Sequence, residues 1–404
     1  MSEWKKVKLG VYIDVLSGFA FKSKDFSDSG IPVIKIKNVC PPYISLEDLS
    51  YVPNSIAFQN PRYILKKGDV LIAMTGSHIN QIASVVGRVG RVRYDDVTVL
   101  NQRVGKIVNK DDSLSCLDFI YYYLSQYEVK VELAQKAGGA ANQANISPSD
   151  IKNLMIPCPP LEVQNRIATI LSRYDSLIEN YQKQIKLLEE AAQRLYKEWF
   201  VDLHFPGHEN TKIVDGVPEG WEKKPISQLG EYLNGFAFKP SDWQDSGKPI
   251  IKIKEMGNGV SNDTPRNNGE RVPVKYLVKA GDLLFSWSAT LMVIVWSGEE
   301  GWLNQHLFKV TPAKGIGREF LLQSISNAIE EFQNLTTGST MKHIQRNKLD
   351  QVFTNVPNDE IMALYSNFAE SMRNQILHLS SQISFLTEAR DRLLPKLMSG
   401  DIEA

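Results

Sequence analysis

The chain has 404 residues, more than one hydrophobic core usually supports, so we expect at least two domains. Its 46 basic and 46 acidic side chains cancel, which argues against a nucleic-acid-binding protein that works alone. Three widely spaced cysteines predict reduced thiols, and no apolar stretch is long enough to span a bilayer. These features favour a cytoplasmic protein without a membrane partner.

Residues 1–158 are predicted to form a mixed, strand-rich domain. Apolar and basic residues alternate over 32–39, which predicts a strand with Lys35 and Lys37 on one face. Apolar residues at helical spacing predict a helix over 117–133. Further strands are predicted over 70–74, 84–92 and 104–108.

Residues 159–203 are predicted to form one long helix. Pro160 suits its first turn, and Glu162 complements the positive end of the helix dipole. Apolar residues recur at alternating intervals of three and four, which is the spacing of a coiled-coil seam. The seam consists of Ile167, Ile170, Tyr174, Leu177, Tyr181, Leu188, Ala191 and Leu195, and Ile185 falls one place late for it. Residues 204–220, which contain prolines and several glycines, are predicted to be a linker.

The second half of the chain repeats this plan. We predict a second domain over 221–357, a second long helix over 358–399 and a short tail over 400–404. Two seams in one chain favour an antiparallel helix pair. The predicted fold class is therefore α+β, with two mixed strand-rich α/β domains separated by two long antiparallel coiled-coil helices. The second seam consists of Ile361, Tyr365, Phe368, Met372, Ile376, Leu379, Ile383, Leu386 and Leu393.

An internal repeat explains the two halves. Gly-Phe-Ala-Phe-Lys at 18–22 recurs at 235–239, an offset of 217 residues, whereas the helices match at an offset of 198. The offset shrinks only within the domains, so the second domain has lost loop residues while its helix kept its length. The other matches are Ile-Lys-Ile-Lys at 34–37 and 251–254, Gly-Asp-Val-Leu at 68–71 with Gly-Asp-Leu-Leu at 281–284, and Leu-Asn-Gln at 100–102 and 303–305.

Motifs for catalysis are missing from the sequence. We find no phosphate-binding loop, no zinc-ligand spacing and no nucleophile elbow. Glu222-Lys223-Lys224 has the Glu-x-Lys form of some nucleases, but only at the level expected by chance. We therefore predict no catalytic residue, no metal and no cofactor.

Polar positions that recur in both copies, or that follow a buried strand, are the candidates for binding. Amide side chains can pair with adenine and arginine with guanine, and lysines can meet phosphates. Simpler roles remain open: a solvated strand face for the lysines and strand-end caps for the amides. The candidates for DNA contacts are Lys22, Lys35, Lys37, Thr75, Ser77, His78, Gln81, Asn101, Gln102, Arg103, Asn142, Gln143, Lys239, Lys252, Lys254, Ser286, Ser288, Asn304, Gln305, His306, Lys342 and His343.

The chain resembles the specificity subunit of type I restriction–modification systems over essentially its whole length. The resemblance lies in the repeated motifs above and in Pro-Pro-Leu-Glu-Val-Gln at 159–164 and Pro-Glu-Gly-Trp at 218–221. Their order, their duplication and the two long helices make the resemblance specific. The second copy departs from the pattern at Asn358-Asp359-Glu360, so the docking surfaces of the two helices are expected to differ.

The resemblance implies a function and a set of partners. Residues 1–158 and 221–357 would be two target recognition domains, each reading one half of a bipartite site in double-stranded DNA. The helices would dock two DNA adenine methyltransferase subunits and set the half-site spacing, and endonuclease/translocase subunits would join the complex. The chain itself would be a non-catalytic specificity subunit.

Two other functions remain open at this stage. One is a duplicated coiled-coil scaffold whose domains bind protein, which DNA retention by a reconstituted complex would exclude. The other is a self-sufficient nuclease, which metal-dependent cleavage by the purified chain would support.

Overall fold

The computed structural model describes residues 4–77, 84–137, 144–261, 263–335 and 346–403. The chain divides into two units, which we call the first unit, Met1–Leu177 with Leu386–Ala404, and the second unit, Ile178–Phe385. Both boundaries fall inside long helices, so each unit contains a segment of both helices.

The first unit is built mainly from short strands. Its strands are β1 (Lys6–Lys8), β2 (Ile13–Ser17), β3 (Ile31–Ile34), β4 (Val39–Cys40), β5 (Tyr43–Ile44), β6 (Ser50–Val52), β7 (Ile64–Leu65), β8 (Val70–Ala73), β9 (Thr75–Gly76), β10 (Val89–Arg91), β11 (Thr98–Leu100), β12 (Val104–Asn109), β13 (Ala144–Asn145) and β14 (Met155–Pro157). Its short helices are α1 (Asn54–Ala57), α2 (Leu117–Leu124), α3 (Tyr127–Gln135) and α4 (Pro148–Lys152).

These strands form two larger sheets. A six-stranded sheet has the order β2-β12-β8-β10-β5-β4, and a four-stranded sheet has the order β6-β3-β11-β7. Strand β12 pairs antiparallel with both neighbours, so that Ile107 lies opposite Val15 on β2 and Val70 on β8. Helix α2 is buried along nearly its whole length because its side chains share one core with Val70 and Ile107 of the sheet and with the first long helix.

The first long helix, α5, spans Leu161–Tyr196 and continues as a π-helical turn over Lys197–Val201. It begins directly after Pro159-Pro160, and the side chain of Gln164 donates a hydrogen bond to the Pro159 carbonyl at 3.0 Å. This bond ties the first turn of the helix to the residue that precedes it.

The second unit has the same kinds of element. Its strands are β15 (Ile213–Val214), β16 (Val217–Pro218), β17 (Glu222–Pro225), β18 (Gly230–Asn234), β19 (Lys248–Ile251), β20 (Arg266–Asn267), β21 (Leu277–Val278), β22 (Leu283–Ser286), β23 (Met292–Val295), β24 (Gly301–Leu303), β25 (Leu307–Pro312) and β26 (Phe353–Val356). Its short helices are α6 (Ile253–Asn258), α7 (Arg318–Asn327) and α8 (Ile329–Asn334), and the second long helix, α9, follows over Asp359–Ser399.

Two four-stranded sheets form the body of the second unit, with the orders β18-β25-β22-β23 and β20-β19-β24-β21. An aromatic cluster joins α7 to both long helices. The ring of Phe200 lies 4.9 Å from the rings of both Phe320 and Tyr365, and all three side chains are buried. Edge-to-face contacts of this kind add stability beyond the area that they bury.

The long helices are antiparallel within each unit. In the first unit Asp175 of α5 contacts Arg390 of α9 at 2.8 Å, whereas Met398, later on α9, lines a cavity with Pro157, which precedes α5. In the second unit Glu189 lines a cavity with Arg373, whereas the ring of Tyr196 lies 6.4 Å from that of the earlier residue Tyr365. The predicted α+β fold class, with two long antiparallel helices and an internal repeat, is confirmed.

Three predictions of local structure are wrong. The strand predicted over 32–39 ends at Ile34 because the Lys35 amide donates to the side chain of Asn38 at 3.1 Å, which closes a 3-10 turn over Ile36–Asn38. The helix predicted over 117–133 is two helices, since α2 ends before Ser125 and α3 begins at Tyr127. Of the strand predicted over 84–92, only Val89–Arg91 is a strand.

The repeat in Ile-Lys-Ile-Lys has the same consequence in the second unit. Strand β19 ends at Ile251, and the Lys252 amide donates to the Glu255 side chain at 3.1 Å to begin α6. The lysines of the first copy therefore lie on a 3-10 turn, and those of the second copy lie at the start of α6; none of them lies on a strand face. The predicted domain boundaries at 158, 203, 220, 357 and 399 stay predictions.

Candidate nucleic-acid interface

In the first unit the segment Gly18–Lys22, which we call the first aromatic turn, lies against Leu100–Arg103. The Phe19 amide donates a hydrogen bond to the Leu100 carbonyl at 2.8 Å, and the Gln102 amide donates to the Phe19 carbonyl at 2.9 Å. Two motifs that are far apart in sequence therefore form one surface feature of this unit.

The second unit repeats this arrangement with Gly235–Lys239, the second aromatic turn, and Leu303–His306. The Phe236 amide donates to the Leu303 carbonyl at 2.8 Å, the same distance as in the first unit. Phe236 also forms an isolated parallel bridge to Asn304, as its counterpart does in the first unit. The repeat is thus preserved at the level of single hydrogen bonds.

Aromatic packing holds each turn in shape. The rings of Phe19 and Phe21 lie 4.9 Å apart at an interplanar angle of 64°, and those of Phe236 and Phe238 have the same separation and angle. These phenylalanines are half-buried and pack inside the turns, so their role is structural.

Each aromatic turn ends in an exposed lysine, Lys22 or Lys239. The backbone amide of Lys22 donates to the Asp25 carboxylate at 2.8 Å, and that of Lys239 donates to Asp242 at 2.7 Å. Among the described residues neither ammonium group is held by a carboxylate, so both are available to an anion such as phosphate.

The ammonium groups of Lys35 and Lys37 contact other side chains of the protein. Lys35 is half-buried: its ammonium lies 4.1 Å from the Phe26 ring centroid and donates to the Ser50 hydroxyl at 2.8 Å. Burial and then the nearby charge of Lys37 lower the pKa of Lys35. Lys37 forms an ion pair with Asp48. Both ammonium groups are therefore used within the protein.

Lys252 repeats the aromatic contact of Lys35. Its ammonium lies 4.4 Å from the ring centroid of Trp243, and burial lowers its pKa. Trp243 follows Phe26 by 217 residues, so the offset of the repeat was a signal that sequence reasoning missed. Lys254, by contrast, is exposed.

Gln102 and Arg103 are exposed beside the first aromatic turn, while Gln305 and His306 are half-buried beside the second. The His306 ring lies 5.8 Å from the Trp287 ring. A flexible amide and a basic or aromatic side chain at each site can offer hydrogen bonds to base edges.

The asparagines of this motif have a capping role. The Asn101 side chain accepts a bond from the Arg103 amide at 3.5 Å, and the Asn304 side chain accepts one from the His306 amide at 3.4 Å. Asn304 is also buried. The structure therefore uses these two side chains to shape the turns that carry their neighbours.

Serine and threonine candidates lie mostly inside the units. Thr75 is buried on β9, and half-buried Ser77 accepts a hydrogen bond from Ser84 on its carbonyl. Ser286 is fully buried, donates to the Thr290 carbonyl and accepts from the Met292 amide at 2.9 Å, which closes the β22–β23 hairpin. Ser288 is buried as well. We do not include Ser286 and Ser288 in the proposed interface.

Six candidates lie outside the described residues. They are His78, Gln81, Asn142, Gln143, Lys342 and His343.

The Gly-Asp-Val-Leu motif proves to be a stabilising turn. The Asp69 carboxylate accepts hydrogen bonds from the Lys66 amide at 2.8 Å and from the Lys106 ammonium at 2.7 Å. In the second unit Asp282 accepts from the Lys279 amide at 2.9 Å, and its ion pair with Lys309 is longer, at 3.8 Å. This motif positions β8 and β22 and belongs to the framework of each unit.

Metal-ligand clusters and membrane-crossing helices are absent from the described residues. No group of three or more His, Cys, Asp and Glu side chains there is arranged to hold a metal ion. No helix in the same part of the chain is both long and apolar enough to cross a membrane.

Together, the repeated sheets, turns and helices define an internally duplicated protein in which each unit presents one equivalent polar surface. A family model described as the type I restriction modification DNA specificity domain matches residues 1–190 and 218–376. The chain therefore belongs to the type I restriction modification DNA specificity family.

Individual relatives are similar over much of their length. The type I restriction enzyme MjaIX specificity subunit of Methanocaldococcus jannaschii is 25% identical over 321 residues, which cover 75% of this chain and 72% of the relative. The putative MjaX specificity subunit of the same organism is 24% identical over 421 residues, covering 99% and 94% of the two chains. The crystal structure of a type I restriction-modification system S subunit from M. genitalium has the same fold, with a TM-score of 0.54 and 15% identity over 98% of this chain and 96% of that chain.

Proposed function

We propose that this chain is the DNA sequence-recognition subunit of a type I restriction–modification complex. Each of the domains at 1–158 and 221–357 would read one half of a bipartite site in double-stranded DNA. The observation that carries this proposal is the repeated pairing of an aromatic turn with Leu-Asn-Gln, which in both units includes the same hydrogen bond from the phenylalanine amide to the leucine carbonyl.

Different side chains in the two units would give different half-sites. Arg103 is suited to the O6 and N7 atoms of guanine, and Gln102 to the N6 and N7 atoms of adenine. The second unit carries Gln305 and His306 at the equivalent positions. The exposed Lys22 and Lys239 would contact phosphates, which fixes position without reading sequence.

Partners would supply the chemistry and part of the phosphate contact. We assign two DNA adenine methyltransferase subunits and endonuclease/translocase subunits to the complex, with α5 and α9 docking the methyltransferases and setting the spacing between half-sites. The zero net charge of the chain suits a subunit that does not hold DNA alone. We propose that the chain catalyses no reaction, binds no cofactor and works in the cytoplasm, where its three free cysteines stay reduced.

Selection of DNA from a random duplex pool tests this function. The full chain, assembled with its methyltransferase subunits, should retain duplexes that share one bipartite motif, and the methyltransferases without the chain should retain none selectively. Unselective retention with and without the chain would contradict the proposal and favour the protein-binding scaffold. Cleavage of the pool by the chain alone with Mg²⁺ would instead support a self-sufficient nuclease.

A further inference from the structure

Asp175 of α5 lies at a junction of three elements in the first unit. Its side chain is 1% exposed. One carboxylate oxygen accepts a hydrogen bond from Arg390 of α9 at 2.8 Å, and the other accepts one from the Tyr122 hydroxyl of α2 at 2.6 Å. Arg93 approaches the second oxygen at 3.9 Å. The contact between the two long helices in this unit therefore includes an ion pair whose carboxylate is buried.

The repeat identifies the equivalent positions in the second unit. The helices match at an offset of 198 residues. Ion pairs between residues four apart agree with this register, because Glu190 pairs with Arg194 on α5 and Glu388 pairs with Arg392 at the equivalent positions of α9. At the same offset Asp175 corresponds to Arg373, and Arg390 corresponds to Ala192.

The second unit uses these positions differently. Arg373 is 7% exposed and donates to Glu319 of α7 at 3.1 Å. Glu319 also accepts from Arg318 at 3.2 Å. Ala192 is buried and has no charge to offer to the opposing helix. The charge at the junction position is thus acidic on α5 and basic on α9. Asp175 is hydrogen-bonded to the opposing long helix, whereas Arg373 is hydrogen-bonded to α7 and interacts with Glu189 of α5 through charge alone.

We propose that the Asp175–Arg390 ion pair makes the pairing of the long helices heterotypic, so that α5 selects α9 over a second copy of α5, and α9 selects α5 over a second copy of α9. Two α5 helices paired in the same antiparallel register would place Ala192 opposite Asp175. Two α9 helices would place Arg373 opposite Arg390.

Both homotypic pairs are unfavourable for electrostatic reasons. A buried carboxylate that loses its arginine partner keeps the desolvation cost of its charge, and two facing guanidinium groups repel each other. A single buried polar or charged contact is a known way to specify which coiled-coil helices pair. This pairing rule concerns the two repeats of the chain and does not depend on what the chain binds.

The rule can be tested on the full chain after it has been cut once. The turn between β15 and β16 accepts a protease site, since a Cβ atom added to Gly216 would have no heavy atom within 4 Å. The purified chain is cleaved there, its halves are separated in mild denaturant and rejoined, and the products are weighed by native mass spectrometry. The wild type should rejoin only as one N-terminal half with one C-terminal half.

Ala192→Arg provides the sharpest variant because it removes nothing. In a pair of two α5 helices, the new arginine would lie opposite Asp175 of the other copy and could form an ion pair with it. In the mixed pair, the same arginine would lie opposite Arg373 and be repelled by it. The cut variant should shift from the mixed pair towards pairs of N-terminal halves. Persistence of the mixed pair alone would overturn the proposal, as would paired N-terminal halves in the cut wild type.

The double variant Asp175→Ala/Arg390→Ala gives a second, independent readout. Removing both charges leaves neither one buried and unpaired, so the uncut chain should fold. The cut halves should rejoin with a weaker preference for the mixed pair, which the contacts of Phe200 with Phe320 and Tyr365 still favour. Retention of full preference would overturn the proposal. Arg392→Ala, at a side chain that is 78% exposed on the same helix, is the matched control and should rejoin like the wild type.

Discussion

Gly18 lies so close to Asn101 that a Cβ atom on the glycine would stand 2.3 Å from the Asn101 carbonyl oxygen. The equivalent distance from Gly235 to Asn304 is 2.1 Å. Neither glycine has a positive φ, so what excludes a side chain is the approach of the neighbouring backbone. This contact brings the aromatic turn of each unit against the segment that carries the proposed base-reading side chains.

Gly18→Ala should therefore destabilise the first unit. The added methyl group must displace backbone, and overpacking of this kind costs about 1–3 kcal/mol. Gly257→Ala is the control. A Cβ atom on Gly257 would come no closer than 3.8 Å to the end of the Met292 side chain, and Gly257 lies in α6, where alanine is favoured over glycine. Urea unfolding should show a lower midpoint for Gly18→Ala only; equal midpoints would contradict the account.

The lysines that end the aromatic turns should contribute to DNA affinity without affecting sequence preference. Changing both Lys22 and Lys239 to Ala should reduce the slope of log K against log salt by about 1.8, because each phosphate contact contributes about 0.9. Lys35→Ala serves as the comparison. Its ammonium packs on Phe26 and bonds Ser50, so this change should lower stability and leave the slope unchanged. If the salt slope changed in Lys35→Ala and not in the Lys22/Lys239 double variant, Lys35 and not the exposed pair would be the phosphate contact.

Asp69 should matter for folding and not for recognition. Asp69→Ala leaves the partly buried Lys106 without its carboxylate and the Lys66 amide without its acceptor, which should cost about 1–3 kcal/mol. Asp95→Ala, which removes an ion pair from a side chain that is 81% exposed, should cost less than about 1 kcal/mol. Chemical denaturation compares the two variants, and loss of base preference in folded Asp69→Ala would contradict a purely structural role.

Buried tyrosines should make the first unit sensitive to alkali. Burial, together with the charge of Asp175, raises the pKa of Tyr121 from 10.0 to about 12. Below pH 10 the hydroxyl is neutral in both states, whereas above it the unfolded chain ionises first. Tyr121 alone should then lower the free energy of unfolding by about 1.4 kcal/mol per pH unit between pH 10 and about pH 12.

Tyr121→Phe keeps the ring beneath Arg91 and should make this alkaline decline less steep by that amount. Tyr127→Phe, at a side chain that is 72% exposed, is the control and should decline like the wild type. Urea unfolding at pH 9, 10, 11 and 12 gives the slopes. An unchanged slope in Tyr121→Phe would show that other groups govern the alkaline loss.

The two long helices and the internal repeat were predictable because both produce periodic patterns in the sequence. The seams located both long helices, and the offsets of the repeat identified Gly18 and Gly235 as equivalent positions. The turn at Lys35 was not predictable from alternation, since a strand and a 3-10 turn capped by the Asn38 side chain share the same pattern of apolar and basic residues. The contact of Lys35 with Phe26 was not predictable either, because the two residues are nine positions apart in sequence and meet only in the folded chain.

The division of recognition between the two domains is the central claim, and replacement of one domain tests it most directly. Residues 1–158 are exchanged for the corresponding domain of another member of the family, and the modified motif in the genome of the host is read by methylome sequencing. We predict that one half of the bipartite motif changes while the other half, read by residues 221–357, stays the same. A motif in which both halves change, or neither does, would contradict the account.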